Sequence, residues 1–261
     1  MMHLNNAHIF WALMQRNMLL LKKNFISKLL DGLFTSIAIL VVAGYLLPLV
    51  GIPSYMIGPF FINIALNTLF SYGFAMAMNI LKEIKNGGRI YYLLTLPVPK
   101  KWVLASYITN FALEVIIITV PLLLIGAFVL GDKLQIIQTN WLLLPIISMA
   151  TIIFFGLFML LIGIHYEQKW FFANIWPRRL SPMYSFGATF YMWKSLYAFA
   201  PTFALITLLN PLVYISEGLR KALIGGDRFL SGWLCCGVLF VWSLLACITL
   251  QYSLKKRMDP V

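Results

Sequence analysis

Charged side chains are scarce in this sequence: only 11% of its 261 residues are Asp, Glu, Lys or Arg, and only 8 residues are acidic. A soluble domain carries about 25% charged residues, so water is not the main solvent of this chain. Cysteine is nearly absent too. Cys235, Cys236 and Cys247 share one apolar stretch with no carboxylate or histidine at ligand spacing, which argues against a metal site or a disulfide framework there. The histidines, His3, His8 and His165, are scattered, and neither a nucleophile–base pair nor a metal cluster can be assembled from them. A phosphate loop is missing as well: its nearest approach, GAFVLGDK at 126–133, has Asp132 where the motif needs lysine and closes an apolar run. The chain is therefore not expected to hydrolyse nucleotide or to bind a cofactor itself. No cleavable signal is expected at the start, because Asn5, Asn6, Gln15, Arg16, Lys22 and Lys23 interrupt the apolar pattern.

Apolar residues are abundant: 61% of the chain is hydrophobic and the mean hydropathy is +0.87. Runs of roughly 18 or more apolar residues recur, each long enough as a helix to cross a hydrocarbon core of about 30 Å. This predicts an all-α membrane protein, a single transmembrane domain over 1–261.

Its start, 1–30, carries Phe10, Leu13, Met14, Met18 and Leu21 at helical spacing between polar residues, which predicts an amphipathic interfacial helix over Ile9 to Leu21. Six transmembrane helices are expected after it: Leu33 to Val50, Met56 to Leu81, Trp102 to Leu130, Trp141 to Ile164, Trp170 to Trp193 and Phe229 to Leu254. The polar loop 82–101 divides the second from the third. From Ser195 to Leu209 the apolar run is short and broken by Pro201, too short for an easy crossing, so 195–228 reads as a re-entrant, extracytoplasmic helical hairpin before the last span.

Basic residues outnumber acidic ones 20 to 8. In a soluble protein that excess would point to nucleic acid; here it fits cytoplasmic loops facing anionic lipid, and no nucleic-acid partner is expected. With six spans and both termini cytoplasmic, 15 of the 20 basic residues fall on the cytoplasmic side of an inner (plasma) membrane; a seventh crossing at Ser195 to Leu209 gives the same count, so run length and not charge favours the hairpin.

Two stretches go beyond hydropathy. One is EIKNGGRIYYLLTLPVPKKWVLASY, Glu83 to Tyr107, a charged start followed by a Leu-Leu step and Leu96-Pro97-Val98-Pro99. The other is NPLVYISEGLR, Asn210 to Arg220. Together they resemble the ABC type-2 transporter permease family, in which a cytoplasmic loop with a proline step lies between the second and third spans and an Asn-Pro-Leu-x-Tyr...Glu-x-Leu-Arg element precedes the last. The likeness covers nearly the whole chain in element order. It departs at Gly87-Gly88, where many relatives have a continuous charged helix, and at Arg178-Arg179, where relatives place apolar residues.

The resemblance implies the membrane subunit of an exporter for a lipid, a lipid-linked glycan or polysaccharide, or an amphipathic drug. It implies a homodimer in the bilayer and a cytoplasmic ABC ATPase partner that binds the ATP and Mg. Coupling to that partner falls on Ile84, Lys85, Arg89, Tyr91, Leu93 and Leu94, a short helix with apolar and basic anchors. In the second element Pro211 suits a first helical turn with Asn210 as N-cap, Tyr214 follows, and Glu217 lies three residues before Arg220 on one face.

Charges inside the spans are the remaining signal, because a central Arg or Asp costs about 2.5–3.5 kcal/mol on insertion scales. Glu114 lies about 18 Å into its span and Arg178 and Arg179 about 12–14 Å into theirs, within reach of a salt bridge. The alternative is that an arginine faces the dimer cavity and meets an anionic group of the substrate. Two other functions compete: an ion-coupled secondary transporter using Glu114, and an integral membrane lipid-modifying enzyme, which would need clustered acids or histidines. Aromatic residues from Tyr184 to Phe199 suit interfacial anchors or a sugar-stacking exit path.

Overall fold

The computed structural model describes residues 6–51, 53, 56–85, 92–93, 99–131, 139–166 and 168–258, and the regular elements among them are all helices. Helix α1 spans Asn6–Val41 and is prolonged by a π-wound turn, Val42–Leu46, and a helical turn, Leu47–Leu49. The interfacial helix and the first span expected as separate elements are thus parts of one helix. The reason is local: no proline separates Leu21 from Leu33, and Gly32 is a packing position, where an added Cβ would stand 2.7 Å from Ile118 Cγ2.

Three long helices follow, α2 (Ile57–Lys85), α3 (Lys100–Leu130, with Pro121 inside) and α4 (Leu143–His165). Their bounds agree with the second, third and fourth expected spans to within a few residues. The next expected span, Trp170 to Trp193, does not form one apolar helix. Gln168–Trp170 leads into a π-wound stretch, Phe171–Leu180, then Ser181–Ser185, after which the chain is irregular to Met192. Pro177 lacks the N–H a regular helix would use, and Arg178 and Arg179 interrupt the apolar face.

Short helices α5 (Trp193–Phe199) and α6 (Pro201–Thr207) come next, separated at Ala200, as Pro201 led one to expect. Then come α7 (Pro211–Leu223), bent from α6 by 98°, and α8 (Gly232–Met258). Among the described residues four helices are long and apolar enough to cross a membrane, within Ile57–Glu83, Lys100–Leu130, Leu143–His165 and Gly232–Ser253; the bent pair makes a fifth if it counts as one span.

Helix α4 is the centre of the bundle, packed against α2, α3, α7 and α8, while α1 lies along α3. Its core is aromatic: Phe154 and Phe155 are buried, and Phe155 meets Phe70 of α2 and Phe111 of α3 at ring-centroid distances of 5.6 and 6.4 Å. Gly163 lets α4 approach α2 closely, since a Cβ there would sit 3.1 Å from the Ala77 carbonyl oxygen. Outward, Phe128 on α3 and Trp233, Phe240 and Ile248 on α8 are exposed, an apolar surface that matches lipid and not water.

Candidate functional site

Helix α7 is nearly all buried, and Ser216, Glu217 and Arg220 on it have hydrogen-bond partners, Arg220 Nε being the one buried nitrogen of that set without one. Asn210 caps it as expected, its Oδ1 accepting from the Leu212 N–H at 3.0 Å while its Nδ2 donates to the Met183 carbonyl at 2.6 Å, and Pro211 occupies the first turn. Tyr214 is buried in the main core. At the other end the Thr139 hydroxyl donates to the Leu223 carbonyl at 2.8 Å and the Asn140 N–H to the Ala222 carbonyl at 2.8 Å, so the strand of chain before α4 holds the last carbonyls of α7.

The centre of α7 is an ion pair removed from solvent. Glu217 and Arg220 are 0% and 1% exposed, and Nη1 lies 3.0 Å from Oε1. Their other bonds reach several parts of the chain. Arg220 donates to the Tyr191 carbonyl (2.8 Å), the Thr189 carbonyl (3.2 Å) and Asn63 Oδ1 of α2 (2.7 Å). Glu217 accepts from the N–H of Trp193 (3.1 Å), where α5 begins, and from that of Leu230 (3.2 Å), just before α8. One side-chain pair thereby ties α2, the irregular segment 186–192, α5 and the approach to α8 to α7. Arg's planar fork makes such multiple bonding with little loss of freedom per bond. Ser216 adds to it, its single hydroxyl proton shared between the Gly187 and Leu212 carbonyls. Between the captured carbonyls of Gly187 and Thr189, Ala188 holds a φ of 56°, a conformation an alanine rarely adopts.

A second polar feature lies between α1, α2 and α3. A cavity of about 400 Å³ is lined by Arg16 and Asn17 from α1, Tyr72, Asn79 and Glu83 from α2, and Tyr107, Asn110 and Glu114 from α3, among apolar neighbours. Tyr107 Oη donates to Glu83 Oε2 at 2.8 Å and Asn110 Nδ2 to Glu114 Oε1 at 3.0 Å. Asn17, itself buried, accepts from Arg16 at 3.0 Å and donates to the Ser106 carbonyl at 3.0 Å.

This placement corrects the salt bridge expected between Glu114 and Arg178 or Arg179. Arg179 donates to Tyr166 Oη at 3.0 Å and lines a different cavity with His165, and both arginines are exposed. Both lie at the end of the π-wound stretch Phe171–Leu180. Leu93 departs from expectation too. It is 8% exposed and packs in a core cluster with Leu13, Ile80, Val103 and Leu104, while Tyr92, which had no assigned role, is 60% exposed. Ile84 and Lys85 end α2; Arg89, Tyr91 and Leu94 lie outside the described residues.

Sequence reasoning therefore found the α7 element but not its reach, and it named Glu114 without its surroundings. The surroundings of Glu114 had a signal: Tyr107, Asn110 and Glu114 at i, i+3, i+7, and Tyr72, Asn79 and Glu83 at i, i+7, i+11, are polar stripes on apolar helices. Among the described residues no group of three or more His, Cys, Asp and Glu side chains is arranged to hold a metal ion. Comparison with family models, curated proteins and solved structures finds no match.

Proposed function

We propose that this chain is the membrane-spanning subunit of an ATP-driven ABC exporter of the type-2 kind, moving an amphipathic lipid, lipid-linked glycan or drug outward. Two copies pair in the inner membrane with both termini cytoplasmic, and a separate ABC ATPase on the cytoplasmic side supplies ATP, Mg and force. The observation that carries this reading is the bent pair α6–α7, set immediately before the last apolar helix and anchored by the buried Glu217–Arg220 pair. A half-length, sharply bent helix pair needs its backbone and charges satisfied by protein, and the α7 network supplies that. The re-entrant hairpin of the sequence reading fits this geometry. Tyr92, exposed in the polar loop that follows α2, takes over as the apolar anchor for the ATPase.

One observation favours a second reading. Glu114 stands near the middle of α3 beside other polar groups, as an ion-coupled transporter would require. Purification of the tagged full chain from its native membranes, followed by native mass spectrometry, separates the two. The exporter reading expects two copies of this chain with two copies of a subunit carrying a phosphate-loop motif. A particle made of this chain alone overturns it.

A further inference from the structure

Basic residues outnumber acidic ones 20 to 8 in the chain, yet among the described residues that line the cavity between α1, α2 and α3 the balance is reversed. Two carboxylates, Glu83 and Glu114, face one guanidinium, Arg16, across it. Its other polar groups, from Asn17, Asn79, Asn110, Tyr72 and Tyr107, all bring an acceptor oxygen. Depth sharpens the contrast. Glu114 lies 14 residues beyond Lys100 in a helix of 31 residues, about 21 Å along an apolar span, where a carboxylate is costly without a role. Glu83 lies near the end of α2, beside the polar loop, so the two carboxylates mark the ends of a polar path from the loop into the bundle. Two other cavities along α2 and α3, of about 230 and 150 Å³, are lined almost wholly by apolar side chains, and a third along α3, of about 520 Å³, carries Lys100 and Lys101 and no carboxylate. At about 400 Å³ the polar one is large enough for a small organic group.

We infer that this cavity binds the ammonium group of an amine-bearing amphiphile. A protonated primary amine presents three donors and one positive charge, which match carboxylate, amide and phenol oxygens arranged around a net negative cavity. An anionic headgroup would meet two like charges there. Calling that amphiphile the exported substrate rests on the function proposed above; the binding itself does not.

The test uses the purified full chain in lipid nanodiscs with octylammonium as probe, and octanol and octanoate as chain-matched controls. Saturable binding of octylammonium alone is expected, weakened at least tenfold, about 1.4 kcal/mol, by Glu83→Gln and by Glu114→Gln and unchanged by the surface control Asp227→Asn. Because either cavity variant can lose its fold, a second measurement uses the unmodified chain. Octylammonium should slow the modification of Glu114 by dicyclohexylcarbodiimide, read by mass spectrometry, at concentrations where sodium ion has no effect. Octanoate binding as tightly as octylammonium, no saturable binding by folded chain, or equal protection by sodium each overturns the inference. The absence of an ATPase partner would sink the exporter reading and leave this result untouched.

Discussion

Replacing Arg220 by methionine removes the cation from the most buried charged pair in the described structure. Glu217, 0% exposed, would keep only the backbone N–H donors of Trp193 and Leu230. The Tyr191 and Thr189 carbonyls and Asn63 would each lose a donor. Breaking a buried pair from one side costs about 3–5 kcal/mol because a charge stays buried and uncompensated. At about 2–4 °C per kcal/mol for a chain of this size, the melting temperature should fall by about 6–20 °C. Cys235 provides the assay: it is buried against α7, its Cβ 3.0 Å from where a Gly218 Cβ would stand, so in a chain with the half-buried Cys236 and Cys247 replaced a thiol-reactive dye reports when α7 leaves α8. Glu217→Gln together with Arg220→Met should cost less than the sum of the single changes by about 0.5–3 kcal/mol, since the stranded charge is gone. An Arg220→Met chain that melts with the unmodified one, or strictly additive variants, would refute the clamp.

Other expectations concern packing, loops and topology. Gly218→Ala should destabilise by about 1–3 kcal/mol, because the new methyl would sit 2.8 Å from Ile147 Cδ1, whereas Gly237→Ala, with nothing within 4 Å, should melt like the parent. Ala188→Gly should stabilise by up to about 1 kcal/mol by relieving the left-handed backbone, which the same dye assay would detect. Leu93→Asp should lower the melting temperature through a cost of at least about 3 kcal/mol, while the exposed Tyr92→Asp should lower it less and act chiefly on ATPase recovery. A cysteine placed at Asp227, in a chain with the native thiols replaced, should react with an impermeant reagent added outside; labelling from the cytoplasmic side alone would reverse the hairpin reading.

Apolar run length made α2, α3, α4 and α8 legible, because a helix in hydrocarbon has no alternative way to satisfy its backbone. Asn210 and Pro211 were readable for a local reason: capping chemistry depends on residues within three positions. What was not legible depended on rotation and on long-range partners. Arg178 and Arg179 lie at the end of the π-wound stretch that contains Pro177, and hydropathy carries no information about helix phase across such a turn. The α1 boundary failed because charged residues signal an interfacial segment without requiring a break in the helix. Glu217 and Arg220 were visible as an i,i+3 pair, but their bonds to Asn63 and to 186–193 join segments far apart in the chain, which spacing alone does not reveal.

The exporter reading stands most directly on ATP hydrolysis that depends on this chain. Complex isolated through a tag on the full chain, from native membranes and reconstituted in nanodiscs, should hydrolyse ATP in a vanadate-sensitive manner. The same preparation carrying Tyr92→Asp should retain the folded membrane subunit and lose that activity. Folded chain that brings no ATP hydrolysis with it, or hydrolysis that resists vanadate and ignores Tyr92→Asp, would contradict the account.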